Sequence, residues 1–255
     1  MDSFVKIEHK NYIAEIEFGT PKSNSLPGFI LEKLAHTILE QGAKKEVKAI
    51  LLKSAGEKAF CAGASFDELL EITDLETSEK FFGGFAKVLN AMRTCGKIVV
   101  VRVQGKATGG GVGLACGADY CFATEESSLA LTEINLGIGP FVIGPFVERK
   151  IGKSQFTAMA IDAGFRSAEW AKKHNIYHFV GKNIDDMDSV LQSFMQQLAT
   201  RSQEALSLIK QVSWEGTDHF SELMPSRINM SARLILEETA KQNIEEIKEK
   251  LRNKK

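Results

Sequence analysis

The chain has 255 residues, 44% of them hydrophobic and 25% charged, enough for one large core or a core with a small helical appendage. Its 32 Lys and Arg against 33 Asp and Glu leave a net charge of −1, which excludes the basic footprint of phosphate-backbone binding; no nucleic-acid partner is expected. No apolar run reaches membrane-span length, and the opening Met1-Asp2-Ser3-Phe4-Val5-Lys6 is not a cleavable apolar signal, so a cytoplasmic protein with no membrane partner is expected.

In chain order, Val5 to Glu8 and Tyr12 to Phe18 read as strands joined by a turn at His9-Lys10-Asn11. Pro27 opens a helix through Gln41, with Ile30, Leu31, Leu34, Ile38 and Leu39 as its apolar stripe. Lys48 to Lys53 is a buried strand. It leads into Phe60-Cys61-Ala62-Gly63-Ala64-Ser65-Phe66-Asp67-Glu68-Leu69, whose small residues run straight into a helical pattern. Glu79 to Arg93 is helical, with Phe81, Phe82, Phe85, Val88, Leu89 and Met92 on one side; core packing is the expected role of this stripe, with a partial role lining an acyl pocket as the alternative. A second apolar strand, Ile98 to Val103, enters Gly105-Lys106-Ala107-Thr108-Gly109-Gly110-Gly111 and a helix from Gly110 to Gly117. Short strands at Tyr120 to Ala123 and Leu129 to Leu131 complete an α/β pattern of repeated β–β–α turns. Beyond Pro140 the pattern is helical: Val142 to Ile151, Ser154 to Ala163, Ser167 to Lys173, Met187 to Arg201, Gln203 to Trp214, and Phe220 to Leu251. The charged end, Glu245 to Lys255, reads as a solvated helix terminus.

Each glycine-rich turn follows a strand and opens a helix, so each presents free backbone N–H groups where the helix dipole favours negative charge. Brought together, two such turns can aim two donors at one developing oxyanion, which points to carbonyl chemistry. The four cysteines, Cys61, Cys95, Cys116 and Cys121, lack zinc-type spacing and read as buried reduced thiols; no metal is expected.

The same segments resemble the crotonase superfamily of enoyl-CoA hydratases and isomerases. Pro21-Lys22-Ser23-Asn24-Ser25-Leu26, the run from Phe60 to Leu69, the run from Val103 through Gly111 to Ala115 and Asp119, and Leu131-Thr132-Glu133-Ile134-Asn135-Leu136-Gly137-Ile138 are similar to four family motifs, in the family's order. The resemblance implies the crotonase-like (ClpP/crotonase) spiral with a C-terminal helical region. It divides the chain into a core at 1–195 with the acyl-CoA site and a helical oligomerisation region at 196–255, and it implies a homotrimer or a dimer of trimers. By the same resemblance, the backbone N–H groups of Ala64 and Gly110 would form the oxyanion hole and Glu133 would be the catalytic acid/base. Ala62 would lie against the adenine and Lys22 would reach a phosphate, while Gly109, Gly113 and Phe141 complete the expected substrate-binding set. No cofactor is implied beyond the coenzyme A of the acyl-CoA thioester substrate.

One departure from the family pattern carries the functional expectation. The family places a first acid where this chain has Gly113. Hydration uses two carboxylates to orient and split a water, whereas a double-bond shift needs one group to move a proton. A lone Glu133 therefore favours an enoyl-CoA isomerase. The alternatives are a hydratase acting on a related, branched (methylglutaconyl-type) substrate admitted by the volume that glycine opens, and a CoA-thioester-binding protein with reduced catalysis.

Overall fold

Alternating apolar residues near the N-terminus fold as an antiparallel hairpin of β1 (Phe4–Lys10) and β2 (Ile13–Gly19), turned through Asn11 and Tyr12 at positive φ. The computed structural model describes residues 2–252, so Asn253, Lys254 and Lys255 of the charged terminus lie outside the described residues. From β2 the sheet continues in parallel through β3 (Ala49–Ser54), β5 (Ile98–Val103), β7 (Tyr120–Thr124) and β10 (Phe179–Gly181). A second sheet holds the short strands β4 (Ala59–Cys61), β6 (Lys106–Thr108), β8 (Ser128–Ala130) and β9 (Arg166–Ser167). Each long strand from β3 onward hands the chain to a short one, β3 to β4, β5 to β6 and β7 to β8, before a helix follows. This is the expected β–β–α spiral.

Both faces of the large sheet are covered, which is why its central strands read as continuous apolar runs. Alternate residues Ile50, Leu52, Val99 and Val101 join a core with α1 (Gly28–Ala43), α3 (Leu75–Thr94) and α4 (Gly110–Gly117). Their neighbours Ala49, Leu51, Ile98 and Val100 face Met187, Leu191 and Met195 of α7 (Ile184–Thr200). Leu39, expected in the stripe of α1, is 46% exposed, because it lies one residue past Ile38 and off the buried face, which continues to Gln41.

Helix α2 (Phe66–Leu70) follows the first turn, and α6 (Ala168–Lys173) precedes β10. The two expected helices after Pro140 form α5 (Gly144–Asp162), broken where Gly152 takes φ +75. The expected boundary near residue 195 falls inside α7. Beyond it, α8 (Gln203–Ser213) and α9 (Phe220–Leu234) follow, and Trp214, Phe220 and Met224 enter the same core as the sheet. The single terminal helix expected from Phe220 is two. The chain breaks at Ile235, which is buried with Leu69, Ile138, Ala240 and Ile244, and α10 (Glu238–Arg252) folds back over the body. Nothing in the local sequence demands that break; burial of this cluster does. Among the described residues no helix is long and apolar enough to cross a membrane.

Candidate active site

Strands β4 and β6 pair in parallel with Cys61 opposite Ala107, so the segments leaving their ends run side by side. One passes Ala62, Gly63 and Ala64 into α2, which Ser65 caps by accepting the Glu68 N–H. The other passes Thr108 and Gly109 into α4. Gly63 has φ +87, and a Cβ there would stand 3.2 Å from the Thr108 carbonyl oxygen and 3.6 Å from the Gly110 nitrogen. A Cβ on Gly111 would lie 2.4 Å from the Cys61 carbonyl oxygen. Only glycine permits this approach of backbone to backbone.

Leu26 fixes the first turn from outside. Its N–H donates to Gly63 O at 2.7 Å and its carbonyl accepts the Ser65 N–H at 3.0 Å, which leaves the Ala64 N–H out of the pairing. Gly110 is the first residue of α4, where an N–H has no intrahelical acceptor. Both residues line a cavity of about 880 Å³ between the turns, α3 and α10.

Glu133 enters the same cavity from a 3-10 turn, Glu133–Leu136, that Gly137 ends at φ +79. A Cβ on Gly109 would meet its Oε1 at 3.2 Å, so that glycine, at φ +52, leaves the room the carboxyl occupies. Glu133 Oε2 is buried without a hydrogen-bond partner. Desolvation pushes its pKa up to about 7, against weaker opposing hydrogen bonds from its own and the Thr132 backbone. The other carboxyl on the cavity lining, Asp67, is 60% exposed at the mouth and paired with Lys22. Two free N–H donors beside one buried carboxyl near neutrality can polarise a carbonyl and move a proton next to it.

Of the expected site residues, Lys22, Ala62, Ala64, Gly109, Gly110, Glu133 and Phe141 line this cavity. Gly113 does not. It is buried inside α4, and the volume expected to be open there is filled: a Cβ would lie 2.7 Å from Ile143 Cγ2 and 3.3 Å from Leu89 Cδ1. The aromatic stripe of α3 divides in two. Val88, Leu89 and Met92 are core, while Phe81, Phe82 and Phe85 wall the cavity, Phe85 so closely that a Cβ on Gly110 would fall 2.2 Å from its ring. Cys61 is buried with its thiol pushed up to about 12, which makes it a packing residue rather than a nucleophile. His219 and Glu148 lie in a separate cavity of about 530 Å³ that shares only Phe141 with the first.

Sequence reasoning missed Ile143, Ile247 and Lys248 on the cavity lining. Ile247 and Lys248 arrive on α10, which packs on the Gly137 turn: a Cβ on Gly137 would meet Ala240 Cα at 3.3 Å. No spacing signal links segments so distant in the chain. Among the described residues no group of three or more His, Cys, Asp or Glu could hold a metal ion.

The sequence matches the family model described as enoyl-CoA hydratase/isomerase over residues 8–254. It is 33% identical to the short-chain-enoyl-CoA hydratase of Clostridium acetobutylicum over 137 residues, 53% of this chain and 52% of that protein. The chain thus spans about half the length of that relative. It is 26% identical to the carnitinyl-CoA dehydratase of Escherichia coli over 215 residues, 83% of this chain and 80% of that protein. The backbone superposes on the enoyl-CoA hydratase from Bacillus halodurans with a TM-score of 0.88, covering 95% of this chain and 99% of that one; at 17% identity this is a likeness of fold.

Proposed function

The chain belongs to the enoyl-CoA hydratase/isomerase family, and from that premise we propose that it is an enzyme shifting the double bond of a 3-enoyl-CoA to give the 2-enoyl isomer. The thioester oxygen accepts from the Ala64 and Gly110 N–H groups. Glu133 takes a proton from the α-carbon, and the electron pair of that C–H bond spreads through the dienolate onto the oxygen. The protonated Glu133 then returns the proton to the γ-carbon, leaving the double bond between the α- and β-carbons. Each N–H donor would contribute about 3–4 kcal/mol to the barrier reduction. Lys22 and Lys248, the lysines on the cavity lining, would meet the phosphates of coenzyme A, with Lys22 leaving Asp67 to do so. The reaction so written needs no group beyond the substrate's own coenzyme A.

The observation that carries this reading is the unpartnered carboxyl of Glu133, with no second acid beside it among the described residues. A hydratase is the second reading, favoured by the names of the relatives in Clostridium acetobutylicum and Escherichia coli, a hydratase and a dehydratase. Assembly as a trimer or a dimer of trimers belongs to the proposal as well; Leu208, Ile209 and Val212, exposed along α8, offer apolar surface for a second copy.

Glu133→Gln tests the mechanism. Turnover of the enoyl-CoA should fall by about 10²–10⁴-fold while affinity for the thioester is kept. Unchanged turnover would sink the proton-relay role, and would leave a protein that binds the thioester without using Glu133.

A further inference from the structure

We infer that Ile143 decides between isomerisation and hydration at this site, an inference that rests on the isomerase reading above. Gly113 lies one turn into α4, on the side facing α3 and the start of α5. A Cβ built there would stand 2.7 Å from Ile143 Cγ2, 3.1 Å from Ile143 Cβ and 3.3 Å from Leu89 Cδ1. The first of these separations is closer than real Cβ atoms come, so a carboxyl-bearing side chain cannot enter without displacing Ile143. Ile143 is 3% exposed, stands at the N-cap of α5, and lines the same cavity as Glu133. Its β-branched side chain has few rotamers to escape into.

Hydration adds the oxygen of a water to the β-carbon and a proton to the α-carbon, so a water must first be held beside the carboxyl. A bound water needs two or more polar partners. The atoms nearest a Cβ on Gly113 are side-chain carbons of Ile143 and Leu89, and Ile143 also lines the cavity that Glu133 enters. The apolar plug denies the water its seat, and the proton that Glu133 takes from the α-carbon has the γ-carbon as its destination.

The test compares wild type, Ile143→Val, Ile143→Ala, Gly113→Glu and Gly113→Glu/Ile143→Ala. Each is given 3-hexenoyl-CoA and, separately, 2-hexenoyl-CoA, with products read by mass. Ile143→Ala should open room for a water held by the Glu133 carboxyl and by further water in the cavity, raising the ratio of hydration to isomerisation about tenfold, and Ile143→Val should hold it near wild type. Gly113→Glu alone should gain no hydration. Paired with Ile143→Ala it should gain about a hundredfold, the contribution of a positioned second acid/base. Thermal melts of Gly113→Ala with and without Ile143→Ala read the packing without activity: the loss in Tm should shrink when Ile143 is shortened. An unchanged product ratio in Ile143→Ala, or additive Tm losses, would overturn the assignment while wild-type isomerisation kept the parent reading intact. A wild type that hydrates 2-hexenoyl-CoA and leaves 3-hexenoyl-CoA untouched would instead remove the parent reading.

Discussion

Glu133 keeps its carboxyl against Gly109 with Oε2 unpartnered, so ionising it in the folded protein forfeits hydration. Its pKa therefore rises from 4.5 to about 7, and the sign of the stability effect follows. Below the unfolded value both states hold the proton and nothing is lost. Between the two values the unfolded chain ionises first, and the fold loses stability until the folded pKa is passed. Glu133→Gln should accordingly stabilise the protein by about 3 kcal/mol at about pH 8.5 and by little at about pH 4.5 in urea unfolding. Equal effects at both pH values would contradict the burial of an ionisable carboxyl. On the proposed mechanism the active form of the base is the carboxylate, so kcat/KM should rise with pH through about 7. The glycine turns were legible in the sequence because the backbone approaches at Gly63 and Gly111 leave no room for a side chain, and Glu133 was legible as a candidate through the resemblance of its segment. Ile143 was not: an aliphatic residue opening a helical stretch looks the same whether it faces core or cavity.

Among the elements, α8 is anchored by a buried network that begins at Asp119, the last residue of the third motif. Asp119 Oδ2 accepts from the Lys210 ammonium and the Val99 N–H, each at 2.7 Å, while Oδ1 accepts from Trp214 Nε1 at 2.7 Å. Lys210 also donates to the Met92 carbonyl at 2.7 Å and is 2% exposed. A buried charge with its partner removed is left uncompensated. Lys210→Met should cost about 3–5 kcal/mol in chemical denaturation, and adding Asp119→Asn should recover part of it. A loss under about 1 kcal/mol for the single change would mean that the pair is solvated in solution. Elements with a strong local period, such as β3, β5, α1 and α3, were legible from apolar spacing alone. The short strands β4, β6 and β9 were not, because two or three residues carry no period and their pairing is set by the turns beside them.

The whole molecule is a spiral closed by its own C-terminal helix. The break at Ile235 lets α10 return over the Gly137 turn, so residues far apart in sequence, Glu133 and Lys248, share one cavity. Pro225 is carried inside α9 without ending it, and burial of Ile235, Ala240 and Ile244 with Ile138 and Leu69 marks where the chain turns. Ending the chain after Glu237 should leave the sheet and α1–α9 folded by circular dichroism. It should raise KM for the enoyl-CoA about tenfold or more, with a smaller change in kcat, because a wall of the cavity goes while Glu133 stays. An unchanged KM would place α10 away from the bound thioester. On the proposed mechanism, one buried carboxyl beside two free N–H groups moves a proton and adds no water. Purified protein given 3-hexenoyl-CoA and, separately, 2-hexenoyl-CoA tests it most directly, with products read by mass and retention time. Conversion of the first to its 2-enoyl isomer without a change in mass is the predicted result; gain of a water by the second, with no isomerisation of the first, would contradict it.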